Sequence, residues 1–130
     1  MKLTRRDGEQ LLMLASKCLV DNDLEGAQTA AAMACVAAPA MPEAWVALGV
    51  ARARHGDHAG AVEPFIKALA LRPRDVQLWC DLGECYVTLM KYAEAAAALK
   101  QAMLLDPNLQ HPAGRRARAV AAKTMAQLRK

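Results

Sequence analysis

Trp79-Cys80-Asp81-Leu82-Gly83-Glu84-Cys85-Tyr86 copies, 34 residues on, the pattern of Trp45-Val46-Ala47-Leu48-Gly49-Val50-Ala51-Arg52. The same step separates Ala27, Ala61 and Ala95, then Ala34, Ala68 and Ala102, then Pro39, Pro73 and Pro107. In the first copy Leu11, Leu14, Ala15 and Cys18 hold the places of the tryptophan, leucine, glycine and aromatic positions. A fixed period of this length means one supersecondary unit stacked on itself, so function should lie in the surface the stack makes.

Each unit reads as two helices and a short turn. In the second copy Pro42 suits a first helical turn and Glu43 favours the helix N-terminus. His55-Gly56-Asp57-His58 breaks the pattern, and Ala61, Phe65 and Ala68 start a second face. Arg72-Pro73 stops that helix, because a residue before proline avoids helical dihedrals. In the third copy Asp75 is the expected N-cap and the break falls near Lys91. Thr4 with Asp7 forms a near capping box, so the first helix should begin near Arg5. Pro112 opens a last helix with Ala113, Ala117, Val120, Ala121, Met125 and Leu128 on one side. That face suits a cap over the final repeat.

Hydrophobic residues make up 55% of the 130, much of it alanine, and only 4% are aromatic. Such a core depends on close helix approach, and alanine is the strongest helix former. Gly49, Gly83, Ala61 and Ala95 allow that approach. Burying one tryptophan removes roughly 150–250 Å2 from water, or about 4–6 kcal/mol as an upper value. Trp45 and Trp79 are therefore expected as core anchors and not ligand stackers.

The net charge of +4 is unevenly spread. Residues 8–41 carry −3, residues 42–75 carry +1 and residues 76–109 carry −2, whereas residues 110–130 carry +6. Lys2, Arg5, Arg6, Asp7 and Glu9 open the chain, and Lys17 interrupts the next apolar run, so neither signal peptide nor membrane span is expected. Cys18, Cys35, Cys80 and Cys85 contain no CxxC pair, which favours reduced thiols packed as small hydrophobes in a cytoplasmic protein.

The spaced residues resemble the tetratricopeptide pattern, W-x2-L-G-x2-Y followed by A-x3-F and a proline. The third copy matches through Trp79, Leu82, Gly83, Tyr86, Ala95, Leu99, Ala102 and Pro107. The second matches through Trp45, Leu48, Gly49, Ala61, Phe65, Ala68 and Pro73, and departs at Arg52. The resemblance implies an all-α, right-handed superhelical solenoid of three helix-turn-helix repeats plus a C-terminal capping helix. Residues 1–130 are then one domain, with repeats at 8–41, 42–75 and 76–109 and the cap at 112–129.

The resemblance also implies where a partner binds, since first helices of such repeats line a concave groove. Carried onto this chain, the first helix contributes Glu9, Leu12, Ser16, Leu19 and Val20. The second contributes Glu43, Val46, Val50, Ala53 and Arg54, and the third Gln77, Cys80, Glu84, Val87 and Thr88. That surface is apolar with an acidic fringe, as a partner site would be; the alternative is that some of these residues pack under the C-terminal helix or in a dimer. Family members that hold chaperone tails use a clamp of Lys, Asn, Asn, Lys and Arg. Here those places hold Leu12, Ser16, Ala47, Gln77 and Asp81, which offer a carboxylate no bidentate partner.

Three repeats, an apolar groove and a basic alanine-rich final helix also resemble the tetratricopeptide chaperones of bacterial type III secretion. That implies a cytoplasmic protein binding an extended or helical apolar segment of a secreted or export-apparatus subunit, alone or as a homodimer or heterodimer. The chain departs from them by starting almost at its first repeat. A generic assembly adaptor or self-associating scaffold is the alternative. Nucleic-acid binding through Arg115, Arg116, Arg118, Lys123 and Arg129 is a remoter one, since the helix lacks interleaved aromatics.

No enzyme, cofactor or metal is expected. His55 and His58 lie in a turn with only Asp57 nearby, and Cys80 and Cys85 lie about 140° apart around a helix. Glu84 has no His, Ser or Lys constellation around it.

Overall fold

A computed structural model describes residues 2–130. It contains α1 (Arg5–Val20), α2 (Leu24–Ala37), α3 (Pro42–Arg54), α4 (His58–Leu71), α5 (Val76–Thr88), α6 (Tyr92–Leu105) and α7 (Pro112–Leu128). The chain forms two compact units, Met1–Leu71 and Arg72–Lys130. The first holds the pairs α1/α2 and α3/α4; the second holds α5/α6 and α7.

Starts and stops keep the sequence step. The second helices begin at Leu24, His58 and Tyr92, and α1, α3 and α5 end at Val20, Arg54 and Thr88. A left-handed residue in each inter-helix turn sets this spacing: Asn22 (φ 59°), Gly56 (φ 87°) and Met90 (φ 60°). Glycine takes that conformation freely, whereas a Cβ costs about 1–2 kcal/mol there. The next residue caps the second helix, through Asp23 on the Gly26 N–H (3.0 Å) and Asp57 on the Gly60 N–H (2.9 Å). Lys91 occupies that place before α6 and makes no side-chain cap.

The other boundaries follow the sequence signals. Thr4 accepts from the Asp7 N–H at 3.2 Å and the Asp7 carboxylate accepts from the Thr4 N–H at 2.8 Å, completing the capping box. Pro42 occupies the first turn of α3, and Asp75 accepts from the Leu78 N–H at 3.1 Å. Trp45 Nε1 donates to the Pro39 carbonyl (2.8 Å) and Trp79 Nε1 to that of Pro73 (2.9 Å), so each indole ties its helix to the turn before it. Both rings are partly buried against their cores, and Lys67 Nζ lies 4.6 Å from the Trp45 ring centroid.

In the first unit Ala15, Ala30, Ala31, Ala34, Cys35, Met41, Ala44, Ala47 and Leu48 form one buried cluster. Small residues let the helices close up: a Cβ on Gly49 would stand 2.7 Å from Phe65, and one on Gly83 would stand 2.6 Å from Leu99. In the second unit Cys80, Leu99 and Ala102 pack with Ala113 and Ala117 of α7.

Arg52 breaks the aromatic pattern for a reason not visible in that pattern. Pro64 lies inside α4 and lacks the N–H that would serve the Gly60 carbonyl. Arg52 Nη1 donates to that carbonyl at 2.9 Å. The guanidinium supplies the hydrogen bond that the proline removes.

Candidate protein-binding faces

In the first unit α1 packs beside α3. The side chains expected to line a partner site recur at the same positions on both helices. Leu12 and Leu19 of α1 and Val46, Val50 and Ala53 of α3 are half-buried; Ser16, Val20 and Arg54 are exposed. Val20 is 85% exposed. Leu12 rests on the core containing Ala47 and Leu48, while Arg54 Nη1 approaches the Leu19 carbonyl at 3.4 Å. Glu43 is half-buried at the N-terminal end of the α3 face. α1 and α3 thus carry half-buried apolar side chains at matching positions on neighbouring helices, with Ser16 among those of α1 and Glu43 and Arg54 at the ends of the α3 row.

The second unit is different. Gln77, Glu84 and Val87 are half-buried on α5, but Cys80 is fully buried beneath Ala113 and Ala117. The expectation that Cys80 lines an open surface is thus corrected: α7 covers it. The alternative weighed from the sequence, packing under the C-terminal helix, holds at this position.

α7 also brings a charge to α5. Arg116 Nε donates to Glu84 Oε1 at 2.9 Å, and its Nη2 lies 2.8 Å from the same oxygen and 3.0 Å from Asp81 Oδ1. Gln77 Nε2 donates to the same Asp81 oxygen at 2.8 Å. Burial pushes the Asp81 carboxyl above its usual range, against the opposing pull of Gln77 and Arg116. Asp81 stood at a clamp position in the sequence, but Arg116 was not foreseen as its partner. Arg116 lies 32 and 35 residues from its two acids, off the repeat step, so the period carries no signal for it.

The remaining basic groups of α7 are divided. Arg115 Nη1 donates to the Leu109 carbonyl at 2.8 Å, whereas Arg118, Lys123 and Arg129 are exposed. Burial raises the thiols of Cys35 and Cys85 to about 11 and that of Cys80 to about 12, so none is a ready nucleophile. Asp57 caps α4, and His58 Nδ1 is buried without a hydrogen-bond partner. Among the described residues no three His, Cys, Asp or Glu side chains form a group able to hold a metal, and no helix is long and apolar enough to cross a membrane.

Residues 52–123 match the family described as Tetratricopeptide repeat, more than half of the chain. The chain belongs to the tetratricopeptide repeat family. Over 61 residues this tetratricopeptide chain is 34% identical to Superkiller protein 3 of Schizosaccharomyces pombe, spanning 47% of itself but only 4% of that relative. Among solved structures it is similar to the first tetratricopeptide domain of Spaghetti (RPAP3) bound to an HSP90 peptide. The TM-score there is 0.88 at 18% identity, over 100% of this chain and 99% of that one. It is also similar to the Yersinia enterocolitica type III secretion chaperone SycD in complex with a peptide of the translocator YopD. The TM-score is 0.78 at 19% identity, over 93% and 91% of the two chains. At these identities the likeness establishes the fold.

Proposed function

We propose that this chain is a non-catalytic protein-binding module, a cytoplasmic type III secretion chaperone. It holds an apolar or amphipathic segment of a secreted or export-apparatus subunit against its first-helix faces. In this proposal residues 1–130 act as one domain of three repeats, 8–41, 42–75 and 76–109, with the helix at 112–129. The observation that carries it is the set Leu12, Leu19, Val46, Val50 and Ala53, partly exposed on two adjacent helices of one compact unit. Partly exposed apolar rows of this kind mark partner sites. Support for the secretion assignment comes from the similarity to SycD, itself solved with a translocator peptide.

The partner segment carries no essential free carboxylate, because Leu12, Ser16, Ala47, Gln77 and Asp81 provide no cation for one. Asp81 already accepts from Gln77 and Arg116. A fluorescein-labelled amphipathic leucine/lysine peptide, with a scrambled peptide of equal composition, probes the face. Leu19→Glu and Val50→Glu should each weaken the amphipathic peptide at least about tenfold, by placing a charge in an apolar contact. Binding that survives both changes, with helix content intact by circular dichroism, places the site elsewhere.

A self-associating scaffold is favoured by one separate feature. Met13 and Leu14 are 73% and 51% exposed, at the positions that Ala47 and Leu48 bury in the next helix pair. Light scattering over a concentration series distinguishes this reading. A monomer throughout argues against it, and a dimer abolished by Leu14→Glu supports it.

A further inference from the structure

Within the second unit α7 is attached differently from its neighbours. α5 buries Leu78 and Leu82 and α6 buries Leu99, whereas α7 buries Ala113, Gly114, Ala117 and Thr124. Its larger apolar side chains contribute little: Val120 is only partly buried against the core, and Met125 and Leu128 are 44% and 45% exposed. Alanine methyl groups bury little area, so the apolar hold on α7 is weak.

Two polar devices supplement it. Asp106, itself buried, accepts from the N–H groups of Gln110 and His111 at 2.9 Å each, fixing the turn before the helix. Arg116 reaches from the body of the helix to α5, onto Glu84 and Asp81. The Asp106 carboxylate also lies against Gly114, so it holds the first turn of α7 as well as the turn before it. The Arg116 contact breaks when the helix lifts.

We propose that α7 is a releasable strap, latched by Arg116 on Asp81 and Glu84, that closes over the α5 face and uncovers Cys80 and Glu84 when it lifts. Closed, the strap fills with alanine methyl groups the ground beside Trp79, Leu99 and Met103, and its guanidinium occupies the acids of α5. Open, that ground accepts larger side chains. That the uncovered face receives a client rests on the binding function proposed above; the release of the strap does not.

Amide hydrogen exchange on the full chain, resolved by peptide mass spectrometry, tests the strap. In the wild type α7 should exchange as a block, faster than α5 and α6. Arg116→Gln should speed α7 a further 1.5-fold to fivefold, roughly the range of one partly exposed ion pair, and leave α6 unchanged. Raising sodium chloride to about 1 M should act likewise on the wild type and add little to the variant. Arg116→Lys, which keeps one charge, should recover part of the protection. Equal protection of α5, α6 and α7, or a variant that speeds all three alike, overturns the strap.

The leucine/lysine peptide separates the two proposals. If Arg116→Gln frees α7 without tightening the peptide, the strap stands and the client role of the α5 face falls. If Val50→Glu abolishes peptide binding while α7 exchanges no faster than α6, the binding face stands and the strap falls.

Discussion

Replacing Arg52 should test whether its guanidinium stands in for the donor that Pro64 removes. The Nη1–H to Gly60 carbonyl bond is 2.9 Å long and partly buried, and proline at position 64 leaves that carbonyl without its helical partner. Arg52→Met keeps the apolar stem and deletes the donor. A hydrogen bond to a charged group contributes about 1.5–3 kcal/mol, and partial exposure favours the lower end. The expected loss is therefore about 1.5 kcal/mol, read as a shift in urea midpoint with unchanged slope.

In a Pro64→Ala background the alanine N–H serves Gly60, and the same Arg52→Met change should cost only about 0.5 kcal/mol. The coupling of about 1 kcal/mol is measurable by a double-mutant cycle. Equal costs in the two backgrounds would refute the substitution of one donor for the other.

The third helix pair departs from the turn chemistry of the other two. Met90→Gly relieves a left-handed non-glycine residue and Lys91→Asp adds the missing N-cap. Each should stabilise by about 0.5–1 kcal/mol in thermal unfolding, and neither should act at the α1/α3 face. Gly83→Val places branched carbons where a single Cβ already meets Leu99 at 2.6 Å, and should cost about 2–3 kcal/mol in a denaturant titration. With burial holding Cys35 and Cys85 near 11, Ellman's reagent at neutral pH should leave these two unmodified until the chain unfolds, while Cys80, pushed up to about 12 under α7, should react slowly and only as α7 lifts. Rapid native modification of all three would contradict their burial.

Most of the helix pattern was legible in the sequence because the same local chemistry recurs in step. Asp23 and Asp57 cap alike, Pro39 and Pro73 receive the two indoles alike, and Thr4 with Asp7 forms the expected box. Interactions off that step were not legible. α3 and α5 begin at Pro42 and Val76, but α7 begins at Pro112, two residues later than the step requires. Position-by-position transfer therefore could not show that Ala113 and Ala117 cover Cys80 or that Arg116 meets Glu84. Arg52 was visible as a departure and Pro64 as a proline, yet their link runs through a carbonyl four residues earlier in α4. Of the candidate site, the sequence placed Leu12, Leu19, Val46, Val50 and Ala53 on α1 and α3, two helices that pack beside each other, because both repeat one register.

The most direct measurement is amide and methyl NMR of the full chain titrated with the amphipathic leucine/lysine peptide. Binding at the first-helix faces predicts the largest shifts at Leu12, Leu19, Val46 and Val50, with Met33, Val36 and Ile66 of the second helices unmoved although they are exposed and apolar. Shifts centred on Met33, Val36 and Ile66, with α1 and α3 silent, would contradict it.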